Sequence, residues 1–171
     1  VRKSQKSFNS DIGVALTVLG LQNAWNNPLR WLWNVIDGLF TALVTREYPD
    51  YLILETGVDR PGDMQQLAAW IKPNVVVLTR FPDVPVHVEY FQSPEAVIAE
   101  KMALVDALAV DGVVVHNHDD DRITTALQSI RQEQIGYSRF RTSQYQLHDD
   151  QIEYDDHQRP VGIRADVTHI T

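Results

Sequence analysis

Polar side chains that could bind a ligand follow three apolar segments of this sequence. Glu55 follows the apolar run 51–54, Thr79 follows 75–78, and Asn117 lies two residues beyond 112–115. Apolar runs without alternation are typical of strands buried on both faces of a parallel sheet. Because open α/β sheets bind ligands beyond the carboxyl ends of their strands, we expect these three side chains to share one edge.

Two histidine-containing segments could supply metal ligands. His87 lies in the loop RFPDVPVHVEYFQ (80–92), and a histidine together with Glu55 can bind Mg²⁺ or Mn²⁺, although Mg²⁺ prefers oxygen ligands. A single loop histidine is also a common surface residue. His116 and His118 precede the acidic run 119–121, whose spacing matches no known metal loop, so a solvated acidic turn is the favoured interpretation.

Lys101 occupies an unusual position in the helix predicted to begin near Ser93. It lies three or four residues from Val97, Ile98, Leu104 and Val105, within the apolar stripe of the helix. One interpretation is a buried aliphatic stem with the amine in water. The other is a lysine with a depressed pKa in a functional site, open to covalent modification.

Composition limits the classes of partner. The net charge of −8 and the absence of a basic cluster argue against nucleic acid. The absence of cysteine excludes disulfides and thiolate metal sites and fits a reducing compartment, so we expect the cytoplasm. No apolar run reaches about 18 residues, so no membrane insertion is expected. Since the chain begins with Val1 and ends in a predicted strand, we expect a piece of a longer protein.

Strands and helices are predicted to alternate, which favours an α/β fold with a mainly parallel sheet flanked by helices. Asp11 is the expected cap of the first helix, and a second helix follows Pro28. After Gln134 we expect short strands, partly antiparallel, at one edge of the sheet. The remaining predicted elements are a strand at 51–54, a helix from Asp63 to Ile71, a strand at 75–78, a helix from Ser93, a strand at 112–115 and a helix at 123–131.

Several stretches together resemble the central, ATP-binding domain of the Mur ligase family, and they occur in the family's order. The stretches are FNSDIGVALTVL (8–19), YLILETGVDRPGDM (51–64), HVEYFQSPEAVIAEKMAL (87–104), VVVHNHDDDRI (113–123) and RPVGIRAD (159–166). The resemblance implies a P-loop NTPase-like fold, with residues 1–171 forming one domain fragment. It also implies that the P-loop, the UDP-binding N-terminal domain and the C-terminal domain lie outside the chain.

The resemblance implies an ATP-dependent amide ligase of peptidoglycan precursor synthesis that works through an acyl phosphate. The member it most resembles adds D-Ala-D-Ala to a UDP-MurNAc-peptide. Another amino-acid ligase of the superfamily and a non-catalytic Mur-like binding domain remain as alternatives. Because the phosphate-binding loop is missing, we expect the fragment alone to be inactive and to bind ATP poorly.

The resemblance also assigns roles to individual residues, with ATP and Mg²⁺ as cofactors. Glu55 and His87 match the family's metal ligands, and Lys101 matches its carbamylated lysine, so Lys101 and His87 are the expected catalytic residues. Asn117 matches the asparagine near the adenine, and Asn9 lies in a segment that faces substrate. The chain departs from the family at Ala15, where proline is usual, and in the Trp-rich segment 25–48, which is longer than usual.

Overall fold

A computed structural model describes residues 1–3, 10–44, 47–81 and 90–170, and backbone contacts divide the chain into two units, Val1–Met64 and Gln65–Thr171. Within these described ranges, no helix combines the length and apolar character needed to cross a membrane.

The first unit contains two short parallel strands and two helices. Ser10 caps the first helix by accepting a hydrogen bond from the Gly13 N–H, so the predicted cap at Asp11 is wrong by one residue. Gly20 ends that helix in the left-handed conformation, with φ of 75°. The elements of this unit are β1 (Arg2–Lys3), α1 (Asp11–Leu19), α2 (Pro28–Val44) and β2 (Leu52–Ile53).

The strand predicted at 51–54 is shorter and more exposed than expected. Only Leu52–Ile53 is extended, and it pairs in parallel with Arg2–Lys3 in a two-stranded sheet. Tyr51 is 70% exposed and Ile53 is 58% exposed. The prediction of burial on both faces is therefore wrong, because this strand belongs to a small sheet separate from the one that contains β3.

The second unit is built on a five-stranded sheet in the order β3-β4-β5-β6-β7. Pairing is parallel from β3 to β6 and antiparallel between β6 and β7, which confirms the predicted α/β class with a mainly parallel sheet. Helix α3 (Asp63–Ile71) begins at the boundary between the units. The other elements are β3 (Val75–Leu78), α4 (Pro94–Asp106), β4 (Val113–Asn117), α5 (Asp121–Ala126), β5 (Glu133–Ser138), β6 (Tyr145–Tyr154) and β7 (Pro160–His169).

Two predicted features of this unit need correction. The strands after Gln134 are not all short, since β6 and β7 have ten residues each. Irregularities between His148 and Gln151 interrupt the alternation of β6, which is why the sequence indicates only short strands in this region. The helix predicted at 123–131 is shorter and runs from Asp121 to Ala126.

The core of the second unit lies between one face of the sheet and helices α4 and α5. Val76 and Leu78 of β3 are buried, whereas Val75 and Val77 on its other face are more than half exposed. The buried core residues are Val76, Leu78, Phe81, Val105, Leu108, Val114, Ile123 and Leu127. Burial of these side chains fixes the positions from which the loops at the carboxyl ends of β3 and β4 begin.

Gly112 lies where the chain enters β4 and leaves no room for a side chain. A Cβ there would be 2.9 Å from the Ala109 carbonyl oxygen and 3.1 Å from the Asn74 carbonyl oxygen. We predict that Gly112→Ala lowers the free energy of unfolding by about 1–3 kcal/mol, since backbone must shift. Gly162→Ala is the control, because its Cβ would meet only Glu153 Oε2 at 3.5 Å. Urea denaturation measures both variants, and equal stabilities would contradict the prediction.

Candidate functional site at the carboxyl ends of the parallel strands

The carboxyl ends of β3 and β4 are joined by the side chain of Asn117. Leu78 is in register with His116, so Thr79 and Asn117 begin the two adjacent loops. The Asn117 side-chain amide donates to the Thr79 carbonyl oxygen at 3.1 Å, and its Oδ1 accepts from the Asp119 N–H at 3.0 Å. The prediction that Glu55, Thr79 and Asn117 share one edge of one sheet is confirmed for Thr79 and Asn117. It is wrong for Glu55, because the strand before it, β2, belongs to the separate two-stranded sheet. The binding role of Asn117 stays a prediction.

Asp120 connects the loop after β3 with the start of α5. One of its carboxylate oxygens accepts from the Phe81 N–H at 2.8 Å. The other accepts from the N–H groups of Arg122 and Ile123 at 3.0 and 3.3 Å, which caps the helix. A single carboxylate therefore holds two loops of the candidate site together.

The other two carboxylates of the acidic turn also bind protein groups. Asp119 accepts from the Ser138 hydroxyl at 2.5 Å and from the Arg139 N–H at 2.8 Å. Burial alone would raise the pKa of Asp119, but these hydrogen bonds lower it below its ordinary value. Asp121 pairs with Arg141 at 2.5 Å on the surface. Throughout the part of the chain that the structure describes, no three acidic or histidine side chains are grouped as metal ligands.

Lys101 lies on α4 with its side chain half-buried, as the apolar stripe predicts. Val97 and Val105, one turn away on either side, are 3% and 0% exposed. The Lys101 ammonium lies 5.9 Å from the centre of the Phe81 ring. Burial lowers the pKa of Lys101 below its ordinary value, which increases the fraction of neutral amine. Both interpretations of Lys101 include a half-buried stem, so its role as a reactive group stays a prediction.

Glu100 is a buried acid that the sequence patterns above do not single out. It is 6% exposed, and its Oε1 accepts from the Gln65 N–H at 3.3 Å. Its spacing could have identified it, because it lies three residues after Val97 and four before Leu104. Glu100 therefore fixes the start of α3 against the helix that carries Lys101.

The structure describes only some of the predicted site residues. Glu55 lies two residues after β2 in the first unit and is exposed. His87 and Asn9 lie outside the described residues. The structure connects Lys101 to Asp120 through Phe81, whose ring lies near the ammonium and whose N–H donates to the carboxylate. The neighbouring part of the same edge is formed by Thr79 and Asn117.

His116 is a second buried group that the sequence does not mark as buried. It is 6% exposed, and its Nδ1 has no hydrogen-bond partner among the described groups. Gly136 on the neighbouring strand lies beside the ring, since a Cβ there would be in ordinary contact with the imidazole at 3.6 Å. Burial, and then repulsion from His118, lower the pKa of His116. The ring is therefore neutral in the folded protein near neutral pH.

Comparison with known proteins agrees with this architecture. The family model for the Mur ligase middle domain matches residues 33–168. The chain belongs to the Mur ligase family. A UDP-N-acetylmuramoyl-tripeptide–D-alanyl-D-alanine ligase of Mycobacterium leprae (strain TN) is 33% identical over 125 residues, which is 70% of this chain and 22% of that protein. The chain thus spans about a fifth of the length of this Mur ligase relative.

Solved structures of MurF share the fold. The match with a MurF structure from Acinetobacter baumannii covers 88% of this chain and 27% of the MurF chain, with a TM-score of 0.59 and 12% sequence identity. The match with the Thermotoga maritima MurF structure in complex with ADP covers 98% of this chain and 36% of the MurF chain, with a TM-score of 0.56 and 17% sequence identity. At such low identities, these matches show a shared fold alone.

Removing the Asp120 carboxylate should destabilise the second unit. We predict that Asp120→Ala lowers the free energy of unfolding by about 2–4 kcal/mol, because it removes a helix cap and leaves the Phe81 N–H without its acceptor. Asp121→Ala is the matched control, because that carboxylate forms a surface pair with Arg141. Urea denaturation compares the two variants, and an equal loss in both would refute the special role of Asp120.

Stability should also depend on the protonation of His116. Because its pKa in the folded protein is below the ordinary value of 6.5, the unfolded chain takes up a proton first as the pH falls. The stability that the neutral ring contributes is therefore complete above about pH 6.5. This contribution is lost as the pH falls through the lowered pKa of the folded protein.

Thermal melts between pH 7.5 and 4.5 test this dependence. We predict that His116→Leu flattens the decline in melting temperature below pH 6.5, because the buried titrating group is gone. The exposed His157 provides the control variant His157→Asn. If the melting temperature of His116→Leu fell with pH as it does in the wild-type protein, His116 could not be the source of this pH dependence.

Proposed function

We propose that the protein containing this chain is a cytoplasmic, ATP-dependent ligase that adds D-Ala-D-Ala to a UDP-MurNAc-peptide during peptidoglycan synthesis. The observation that carries the proposal is the 33% identity to the ligase of this name from Mycobacterium leprae. The half-buried Lys101 supports the reaction class, since it lies where the family resemblance requires a modifiable lysine. Such an activity would contribute to cell-wall formation, and so to cell shape and division.

The proposed reaction has two steps. The terminal carboxylate of the UDP-MurNAc-peptide attacks the γ-phosphorus of ATP, giving an acyl phosphate and ADP. The amine of D-Ala-D-Ala then attacks the acyl carbon, an amide bond forms, and inorganic phosphate leaves. In this scheme Asn117, at the carboxyl end of β4, lies beside the adenine.

Glu55, His87 and the carbamate of Lys101 are the proposed Mg²⁺ ligands. The carbamate forms when the neutral Lys101 amine attacks carbon dioxide and loses a proton, and the lowered pKa of this amine fits that chemistry. Mg²⁺ held by these residues would stabilise the negative charge that develops during phosphoryl transfer. The carbamate would give α4 an anionic oxygen ligand at a position where an unmodified lysine is cationic.

Substrate specificity is tested with the intact protein. ADP release is measured with UDP-MurNAc-tripeptide and either D-Ala-D-Ala or single amino acids as the amine. Turnover that requires D-Ala-D-Ala supports the proposal. Turnover with a single amino acid instead would indicate another ligase of the superfamily. Tight ATP binding without turnover with any amine would indicate a non-catalytic binding domain.

Lys101 is tested by substitution in the intact protein. We predict that Lys101→Met and Lys101→Arg each reduce kcat/KM by roughly a hundredfold or more while the melting temperature changes little. Methionine keeps the aliphatic stem, and arginine keeps the positive charge, but neither can form a carbamate. Lys3→Met, at an exposed lysine, is the control. Near-normal turnover in Lys101→Arg would exclude the carbamate role.

A further inference from the structure

The hydroxyl of Ser138 is the centre of a buried hydrogen-bond network at the carboxyl end of β5. Ser138 is fully buried, and its hydroxyl donates to the Asp119 carboxylate at 2.5 Å. The same oxygen accepts from the N–H groups of Phe140 and Arg141 at 3.0 and 2.6 Å. A hydroxyl has one hydrogen and two lone pairs, so all of its bonding capacity is used. Ser138 therefore fixes the acidic turn after β4 to the loop after β5.

The peptide unit between His118 and Asp119 is held at both of its polar groups. The Arg141 guanidinium donates to the His118 carbonyl oxygen at 3.3 Å, and the Asp119 N–H donates to Asn117 Oδ1 at 3.0 Å. Because the peptide bond is planar and trans, its C=O and N–H point in opposite directions, so fixing one group fixes the other. The Asp119 side chain is held as well, by the Ser138 hydroxyl. The N–H that faces Asn117 therefore has a fixed direction.

The side-chain amide of Asn117 has a single favourable orientation as a result. Its oxygen accepts from the Asp119 N–H, and its nitrogen donates to the Thr79 carbonyl oxygen at 3.1 Å. An amide turned over by 180° would lose both hydrogen bonds and would oppose two donors on one side and two acceptors on the other. Within the described part of the chain, these two bonds leave one Oδ1 lone pair and one amide hydrogen for a ligand. The side chain is only partly buried, so a ligand can reach it.

We propose that Ser138 and Arg141 are positioning residues that lock the Asn117 amide, so that the site selects adenine over purine bases with oxygen at position 6. This inference rests on the proposed function, in which Asn117 lies beside the adenine. Neither positioning residue needs to contact the nucleotide, since both act through Asp119 and the peptide unit that precedes it.

The selectivity follows from the order of donor and acceptor on the two partners. Adenine has a 6-amino donor next to a ring-nitrogen acceptor, which matches the remaining lone pair and hydrogen of the amide. A base with oxygen at position 6 would place that oxygen against Oδ1, which leaves two acceptors opposed. An amide that could turn over would direct its N–H to this oxygen instead. Discrimination between the bases therefore requires the amide to be locked.

The test measures equilibrium binding of ATP and of inosine triphosphate to the intact protein by calorimetry, without the peptide and amine substrates. Inosine triphosphate is the matched probe, because it has the same sugar and phosphates as ATP and carries oxygen in place of the 6-amino group. We expect the wild-type protein to bind ATP at least about tenfold more tightly than inosine triphosphate. Since no turnover is needed, the result does not depend on which amine the ligase uses.

Arg141→Met removes the guanidinium at an exposed position, so the variant should fold normally. We expect the ratio of the two dissociation constants to fall at least about threefold, because the peptide unit before Asp119 loses one of its two bonds. Arg159→Met is the matched control, since Arg159 is also exposed and forms an ion pair with Asp155 as Arg141 does with Asp121. The control should keep the wild-type ratio.

Ser138→Ala removes the buried hydroxyl and should also lower the ratio at least about threefold. This variant should melt at a lower temperature, because two backbone N–H groups lose their acceptor. The ratio separates the two effects, since both nucleotides are measured on the same sample and the folded fraction cancels. Ser129→Ala, at an exposed serine of the same unit, is the control.

Three results would overturn the inference. If a variant weakened the binding of both nucleotides equally, the unchanged ratio would show that its residue is only structural or contacts the phosphates. If the wild-type protein bound ATP and inosine triphosphate equally well, the lock would have no role in selectivity, while the proposed ligase activity would stand. If the wild-type protein bound neither nucleotide, the inference and the proposed function would fail together.

Discussion

The in-register parallel pairing of β3 and β4 is the constraint on which the second unit depends. Val75 pairs with Val113 and Leu78 pairs with His116, so the two strands end side by side. A slip of one residue would turn the apolar side chains of one strand from the core to the other face. It would also move Asn117 away from the Thr79 carbonyl oxygen, so the same register that fills the core assembles the candidate site.

The acidic turn after β4 acts mainly as a scaffold. Asp119 accepts hydrogen bonds from the loop after β5, and Asp120 accepts from the loop after β3 and caps α5. Because these carboxylates are occupied by protein donors, a chemically reactive group must come from another element. Lys101 on α4, partly desolvated beside Phe81, is in a position to provide it.

Patterns that depend on local periodicity could be predicted from the sequence. The helical spacing around Lys101 identified a half-buried lysine, and apolar runs identified β3 and β4. Features that depend on pairing between strands far apart in the sequence could not be predicted. The exposure of Ile53 follows from pairing with β1, and the continuity of β6 across its bulge, where Asp149 has a φ of 49°, follows from pairing with β7. His116 is buried on a strand that pairs with β5, where Gly136 is its partner in register, and no local pattern reveals this pairing.

The position of β3 at one end of the five-stranded sheet has a consequence for the colloidal behaviour of this chain. The strand consists of three valines and a leucine, and Val75 and Val77 are exposed on one face. Uncharged β-branched strands at sheet ends favour strand-to-strand aggregation between molecules. Lys72, Pro73 and Arg80 flank the strand, and charged residues and prolines at such positions oppose this kind of aggregation.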